Sequence, residues 1–195
     1  MLRLFLQKTD TMKLFMVMLG ATPPGRFTEQ HDIFFGIGNS LKDLVPHMQD
    51  FWPEALGKIH IDAWREVSHV DGFEISVVPK ESVPHRQHLF FINLGGYREN
   101  EFEEYHYKVL AVGKTLAEAS KKSKQTAFYK HYSFKGAESH IDDKFGIDVD
   151  DIYKVEDMLP GAFRENYALR INPSPDVRAD KLHIGYVKIE KLLKK

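Results

Sequence analysis

The sequence predicts an α+β protein in which a β-β-α-β-β unit occurs twice, the two pseudo-symmetric halves packed together. One observation is that residues 13–41 align with residues 88–116 without a gap at a constant offset of 75. A second is that both segments carry two strand patterns followed by one helical pattern. A repeated unit of this size buries its apolar face against its twin. The identical pairs are Leu14/Leu89, Phe15/Phe90, Leu19/Leu94, Gly20/Gly95, Phe27/Phe102, Glu29/Glu104, His31/His106, Gly38/Gly113 and Leu41/Leu116.

The elements of the first copy follow from apolar periodicity and turn residues. Ser40, with Asp43 three residues on, signals the start of a helix. The apolar positions that follow have helical spacing and predict one buried stripe, made of Leu41, Leu44, Val45, Met48 and either Phe51 or Trp52. Strands are predicted at residues 13–19, 32–37, 58–67 and 73–78, the last two paired with each other across the turn at 70–72.

The second copy repeats this order and then diverges. Thr115 and Glu118 form a capping box for a helix to about Tyr132, with Leu116, Ala119, Ser123 and Ala127 on one face. The match of His60-Ile61-Asp62 to His140-Ile141-Asp142 requires a five-residue slip. Strands are predicted at 89–94, 105–112, 140–147 and 167–171, and residues 148–160 form a longer, acidic divergent segment.

The repeat also sets the expected domain organisation. Each copy spans about 75 residues, where a lone core supplies only a few kcal/mol, so the copies are expected to pack on each other. The tail alternates in apolarity from Leu182 to Leu193, which favours one extra strand. The expected parts are an N-terminal extension, a first repeat, a second repeat and a C-terminal tail, at residues 1–11, 12–84, 85–173 and 174–195.

Composition narrows the classes of function. The formal net charge is −1, which removes the broad electrostatic reason to expect nucleic acid or an anionic membrane as a partner. The chain has no cysteine, so disulfides and thiolate chemistry are excluded and a cytoplasmic location fits. No apolar run approaches the roughly 18 residues of a membrane span. The sequence therefore predicts a cytoplasmic protein that binds no membrane.

Histidine and carboxylate residues two apart on predicted strands are the candidate ligand-binding residues. Side chains at such spacing share one face of a strand. A carboxylate beside an imidazole fixes its tautomer and suits a general base, a metal ligand or a binding site. The pairs are Glu29 with His31, His60 with Asp62, Glu104 with His106, and His140 with Asp142.

The same pairs also have a structural interpretation. Buried polar groups satisfy one another, so each pair could be a latch that serves folding alone. Trp64, on the predicted face of His60 and Asp62, is packing or the floor of a small-molecule pocket. A weaker alternative is RNA binding by a basic helix face that carries Lys121, Lys122, Lys124, Tyr129 and Lys130.

The chain resembles a bacterial family catalogued as domain of unknown function 1543 (DUF1543), in a tandem-repeat form. The resemblance rests on Met12 to Gly20, Glu29-x-His31-Asp32, Gly38-x-Ser40-Leu41, His60-Ile61-Asp62 and the stretch His140 to Tyr153. It runs from Met12 to about Ile171. It implies a cytosolic bacterial protein and supplies no catalytic residues to transfer.

Two functions therefore compete at this stage. The first is a non-enzymatic module that binds a small ligand or a protein partner, since no nucleophile, cofactor fingerprint or metal motif stands out. The second is a metal-assisted hydrolase that uses the His and carboxylate pairs. The sequence leaves open whether the protein is an enzyme, which cofactor or metal it takes and whether it forms homo-oligomers.

Overall fold

The computed structural model describes residues 12–80, 87–97, 100–123, 148–176 and 178–194. These residues mix antiparallel strands with short helices, which confirms the α+β class. The strands are β1 (Lys13–Ala21), β2 (Gln30–Gly38), β3 (His60–Glu66), β4 (His69–Val70), β5 (Phe73–Pro79), β6 (His88–Tyr97), β7 (Glu104–Gly113), β8 (Asp148–Lys154), β9 (Tyr167–Pro173) and β10 (His183–Lys188). The α-helices are α1 (Val45–Phe51), α2 (Leu116–Ser123), α3 (Val155–Met158), α4 (Gly161–Asn166) and α5 (Ile189–Leu193), and 3₁₀ turns lie at Leu41–Leu44 and Pro53–Ala55.

The strands form three antiparallel sheets. The first has the order β10-β3-β1-β2, and the second has the order β7-β6-β8. The third sheet has the order β4-β5-β9, so strand β5 pairs with strand β9 although about 90 residues separate them in the sequence. We call the elements β1 to β5 the first unit and β6 to β9 the second unit. Pairing of β5 with β9 ties the two units together.

In the first and second sheets, equivalent residues are paired within each unit in the same register. Lys13 pairs with Gly38 in the first sheet and His88 with Gly113 in the second, an offset of 75 in both strands. Each central strand also has an irregularity at the same place, between Met18 and Leu19 and between Asn93 and Leu94. The two units thus have one strand order and one bulge position, as a duplicated module would. Descent from one module stays a prediction.

The register corrects the sequence alignment of the third strands. Gly20 pairs with His60, whereas its counterpart Gly95 pairs with Asp148. The prediction that 148–160 is a divergent segment is wrong at its start, because Asp148–Lys154 is β8. Acidic residues disfavour strands in general, but among the described residues β8 lies at a sheet edge, where acidic residues are better tolerated than in a central strand. The predicted strand at 140–147 lies outside the described residues.

The predicted pairing of residues 58–67 with 73–78 is also wrong. β3 pairs with β1 and β10, and β5 pairs with β4 and β9. The turn residues Asp71 and Gly72 do form a hairpin, with φ of 54° and 77°, but it joins β5 to the two-residue β4. The turn was therefore predicted correctly, but it joins β5 to β4 and not to β3.

The first four positions of the helical stripe in the first unit fill the core as predicted, since Leu41, Leu44, Val45 and Met48 are all buried. The last position does not, because Phe51 is exposed and Trp52 is only partly buried. The Ser40 amide donates to Asp43 Oδ2 at 2.9 Å, so the capping signal is present, although the first turn is 3₁₀. In the second unit, the Glu118 amide donates to Thr115 Oγ1 at 3.2 Å. Ala119 and Ser123 are buried, but Leu116 is half exposed, contrary to the predicted stripe.

The first and second sheets contact each other through aromatic side chains. The rings of Phe35 on β2 and Phe91 on β6 lie edge to face, with centroids 5.8 Å apart. Both residues are buried. A polar contact accompanies them, since the Val112 amide of β7 donates to Asp71 Oδ2 at 2.9 Å. Within the described residues, no helix combines the length and apolarity that crossing a bilayer requires.

Candidate functional site

Four of the predicted site residues converge at one end of the first sheet, and we call them the His/carboxylate cluster: Glu29, His31, His60 and Asp62. His60 Nε2 lies 2.9 Å from Glu29 Oε1 and 3.3 Å from Asp62 Oδ2. His31 Nε2 lies 3.2 Å from the same Asp62 oxygen and 3.8 Å from Glu29 Oε2. Two imidazoles and two carboxylates therefore form a closed ring of contacts.

Gly20 makes this convergence possible. His31 on β2 and His60 on β3 both pair with Gly20 on β1, so the three residues lie in one row across the sheet. A Cβ at Gly20 would lie 2.4 Å from both His60 Nε2 and Asp62 Oδ2. Because glycine leaves that space empty, side chains from both neighbouring strands lean over β1 and meet.

The cluster has a buried inner side and an exposed outer side. The side chains of His60 and Asp62 are 10% and 20% exposed, whereas those of His31 and Glu29 are 40% and 46% exposed. The Tyr186 ring of β10 covers His60 at a centroid distance of 4.4 Å. The outer pair is therefore available to a ligand, and the inner pair supports it.

Two buried atoms of the cluster lack a hydrogen bond of full geometry within the described part of the chain. They are His60 Nε2 and Asp62 Oδ2. His60 Nε2 nevertheless lies in short contacts, at 2.9 Å from Glu29 Oε1 and 3.3 Å from Asp62 Oδ2. A buried polar atom without a well-aligned partner is destabilising, and a water molecule or a ligand group can supply the missing bond.

Within the described residues, the second unit repeats the outer His and carboxylate pair of this arrangement. His106 Nε2 lies 3.8 Å from Glu104 Oε2, the same distance as in the His31 and Glu29 pair. His106 Nδ1 also contacts Asn93 Nδ2 at 3.1 Å. The ladder position of His60 is held by Asp148. The predicted site residues His140 and Asp142 lie outside the described residues.

A cleft of about 550 Å³ joins the two units, and we call it the inter-unit cleft. His31 lines it from the first unit, and Glu104 and His106 line it from the second. Its other lining residues are Asp32, Ile33, Phe91, Asn93, Glu103, Tyr105, Lys108, Asp151, Tyr153 and Met158. The cleft thus brings together residues that the sequence predicted separately in each copy.

The charges in the inter-unit cleft are mostly negative. Four carboxylates line it, those of Asp32, Glu103, Glu104 and Asp151, against the single ammonium group of Lys108. Burial lowers the pKa of Lys108, and the charge of Asp32 opposes that effect. The Tyr153 hydroxyl donates to Asp151 Oδ1 at 2.8 Å, and this bond raises the pKa of Tyr153. Such a cleft favours a positively charged occupant.

Sequence reasoning missed some residues of this region and misplaced another. Lys108 and Tyr153 gave no signal, because their role depends on how the two sheets pack. Trp64 was predicted on the face of His60, but the bulge near Asp62 inserts one residue and changes the alternation. Trp64 instead pairs with Val17 and stacks on His183 at a centroid distance of 3.8 Å.

Fold and cleft together define a class: an α+β protein of two like units with a polar cleft between them. The sequence model of a family described as Domain of Unknown Function (DUF1543) matches residues 26–77, which confirms the resemblance to that family. No curated protein matches the chain. A crystal structure of the protein Il1583 from Idiomarina loihiensis is similar, with a TM-score of 0.61 and 21% sequence identity. The similarity covers 90% of this chain and 95% of that one, and it shows a shared fold.

Proposed function

We propose that the protein is a non-enzymatic, cytoplasmic binding module, built from two copies of one unit, that takes a small organic cation in the inter-unit cleft. The observation that carries the proposal is the lining of the cleft by carboxylates from both units, next to His31 and His106. An ammonium group is the ligand that such a lining recognises. Carboxylates and neutral imidazoles accept hydrogen bonds, and an ammonium group donates three.

The size of the cleft supports a small ligand. A volume of about 550 Å³ falls within the range of about 300–1,000 Å³ that is typical of small-molecule sites. Ile33, Phe91 and Met158 give the cleft an apolar part, against which the carbon chain of an amine can pack. The proposed ligand therefore combines an apolar body with at least one cationic end.

A matched pair of probes tests the proposal. We expect 1,4-diaminobutane to bind the native protein saturably, whereas uncharged 1,4-butanediol of similar size does not. Glu104→Gln and Asp32→Asn should each weaken diamine binding about tenfold, because each removes a carboxylate that pairs with the cation. Isothermal titration calorimetry measures both effects. The control is Glu74→Gln, an exposed carboxylate on β5 outside the cleft, which should leave the affinity within about twofold.

Two results would contradict this function. One is equal binding of the diamine and the diol, which would show that charge is not recognised. The other is native affinity in both Glu104→Gln and Asp32→Asn. If the native protein binds no small cation but retains a protein partner through this face, the module serves protein interaction instead.

A metal-assisted hydrolase is the second candidate, favoured by the convergence of two imidazoles and two carboxylates in the His/carboxylate cluster. In the part of the chain that the structure describes, no group of three or more His, Cys, Asp or Glu residues is arranged to hold a metal ion. We therefore place binding first. Metal analysis of untagged protein separates the two: stoichiometric metal that is lost in His31→Ala would favour the hydrolase.

A further inference from the structure

We propose that a second cleft, beside Arg65, binds a small oxyanion through its carboxylate or phosphate oxygens. This cleft has a volume of about 380 Å³. Arg65 lines it from β3, and Tyr107 and Lys108 line it from β7. His69, Asp71 and Arg178 lie in the same wall. This cleft adjoins the proposed cation site, since Lys108 lines both, but neither proposal depends on the other.

The two clefts correspond to each other in the ladder register but differ in charge. Arg65 pairs with Met16 on β1, and Tyr153 pairs with Phe91 on β6, at the offset of 75 that relates the two strands. Arg65 thus occupies in one cleft the position that Tyr153 occupies in the other. The inter-unit cleft has four carboxylates and one cation, whereas the second cleft has three cations and two carboxylates. The cations are Arg65, Lys108 and Arg178, and the carboxylates are Asp71 and Asp176. Equivalent positions in the two clefts therefore hold a guanidinium group in one and a phenol in the other.

Arg65 lacks the partner that a partly buried guanidinium normally has. Its hydrogen bond within the described residues goes to the Met16 thioether, from Nη2 to Sδ at 3.5 Å. No carboxylate oxygen of these residues lies within 4.0 Å of it, the limit of an ion pair. Burial lowers the pKa of Arg65, and the charges of Asp180 and Tyr107 only partly oppose this. A desolvated cation without a close anion is unfavourable, so an incoming anion would be stabilised there.

The carboxylates near Arg65 already accept other donors. Asp71 Oδ2 accepts the Val112 amide at 2.9 Å, and Asp176 Oδ2 accepts Arg178 Nε at 2.7 Å. Asp180, next to the cleft, accepts the Ser68 hydroxyl at 2.7 Å and the Ser68 and His69 amides at 3.1 Å each. These bonds hold the carboxylates away from Arg65. The planar guanidinium group of Arg65 can therefore donate its N–H groups to an oxyanion. The spacing of these donors matches that of two oxygens of a carboxylate or a phosphate.

Titration with inorganic phosphate and with succinate tests this site. We expect at least one of the two to bind the native protein saturably with one equivalent, and the Arg65 Nε–H resonance to shift with the same Kd. Arg65→Met should weaken binding about tenfold or more, and Arg65→Lys should weaken it less, since the charge remains but the fork is lost. The control is Lys13→Met, which removes an exposed cation paired with Glu66 at 2.8 Å and should leave the affinity within about twofold.

The two probes also identify the chemistry of the ligand. Preference for phosphate indicates a phosphorylated ligand, and preference for succinate indicates a carboxylic acid. The proposal is overturned if neither probe binds saturably, or if Arg65→Met binds as tightly as the native protein. If Arg65→Met does not fold, the Nε–H shift in the native protein and the affinity of Arg65→Lys decide.

Discussion

Replacement of Phe91 by alanine is expected to lower the free energy of unfolding by about 3–5 kcal/mol, the range for removal of a buried aromatic side chain. Phe91 is buried between the first and second sheets, where its ring meets Phe35 edge to face at 5.8 Å. Truncation leaves a cavity at the contact that joins the two units. Chemical denaturation followed by circular dichroism measures the loss.

Phe102 provides the control for this prediction. It is fully exposed at the β6–β7 connection, so Phe102→Ala should change stability by less than about 0.5 kcal/mol. Phe35→Ala combined with Phe91→Ala should be less destabilising than the two single changes added together, because the rings contact each other. A loss below about 1 kcal/mol for Phe91→Ala would show that the two sheets do not depend on this contact.

Gly20→Ala is expected to disrupt the His/carboxylate cluster. The new Cβ would lie 2.4 Å from His60 Nε2 and from Asp62 Oδ2, so both side chains would have to move away from β1. Overpacking of this kind costs about 1–3 kcal/mol of stability. Because His31 leans on Asp62, the variant should also weaken binding of 1,4-diaminobutane. Thermal unfolding and calorimetry measure the two effects.

Gly161→Ala is the matched control for Gly20→Ala. A Cβ at Gly161 meets nothing within 4 Å, and Gly161 begins α4, where alanine is the better helix former. We expect this change to be neutral or slightly stabilising. If Gly20→Ala behaves in the same way, the cluster is looser than its contacts indicate, and Gly20 is not what permits it.

The same variant separates the latch from the ligand site. A pure latch predicts that Gly20→Ala and His31→Ala lower the melting temperature and leave ligand binding unchanged. The exposure of the cluster favours a division of roles, in which the less exposed His60 and Asp62 hold β3 over β1 while the more exposed His31 lines the inter-unit cleft. His31→Ala should therefore lower the affinity for 1,4-diaminobutane clearly and the melting temperature only slightly.

Local patterns predicted the strands and helices of the described chain well. The capping residues Ser40 and Thr115 and the continuous apolar runs of β1 and β2 specify local structure without help from distant residues. The proximity of Glu29 to His31 and of His60 to Asp62 was also predicted from their spacing of two residues, although Glu29 lies just before β2 and the bulge falls at Asp62. Their convergence over Gly20 needed one further fact, namely that β1 lies between β2 and β3.

The features that could not be predicted depend on pairing between strands that lie far apart in the sequence. Nothing local reveals that β5 pairs with β9 rather than with β3, because the turn at Asp71 and Gly72 is compatible with either partner. The bulge near Asp62 is set by the ladder with β1, so Trp64 was placed on the wrong face. β8 is acidic, and its strand character comes from pairing with β6. Both clefts arise where the sheets pack, which no repeat alignment shows.

The most direct test of the central claim follows the imidazole resonances of His31 and His106 by NMR during titration with 1,4-diaminobutane. These residues come from different units but line one cleft. Our account predicts that both resonances shift along saturation curves with the same Kd. Shifts with different Kd values, or a shift of one imidazole alone, would contradict a single ligand site shared by the two units.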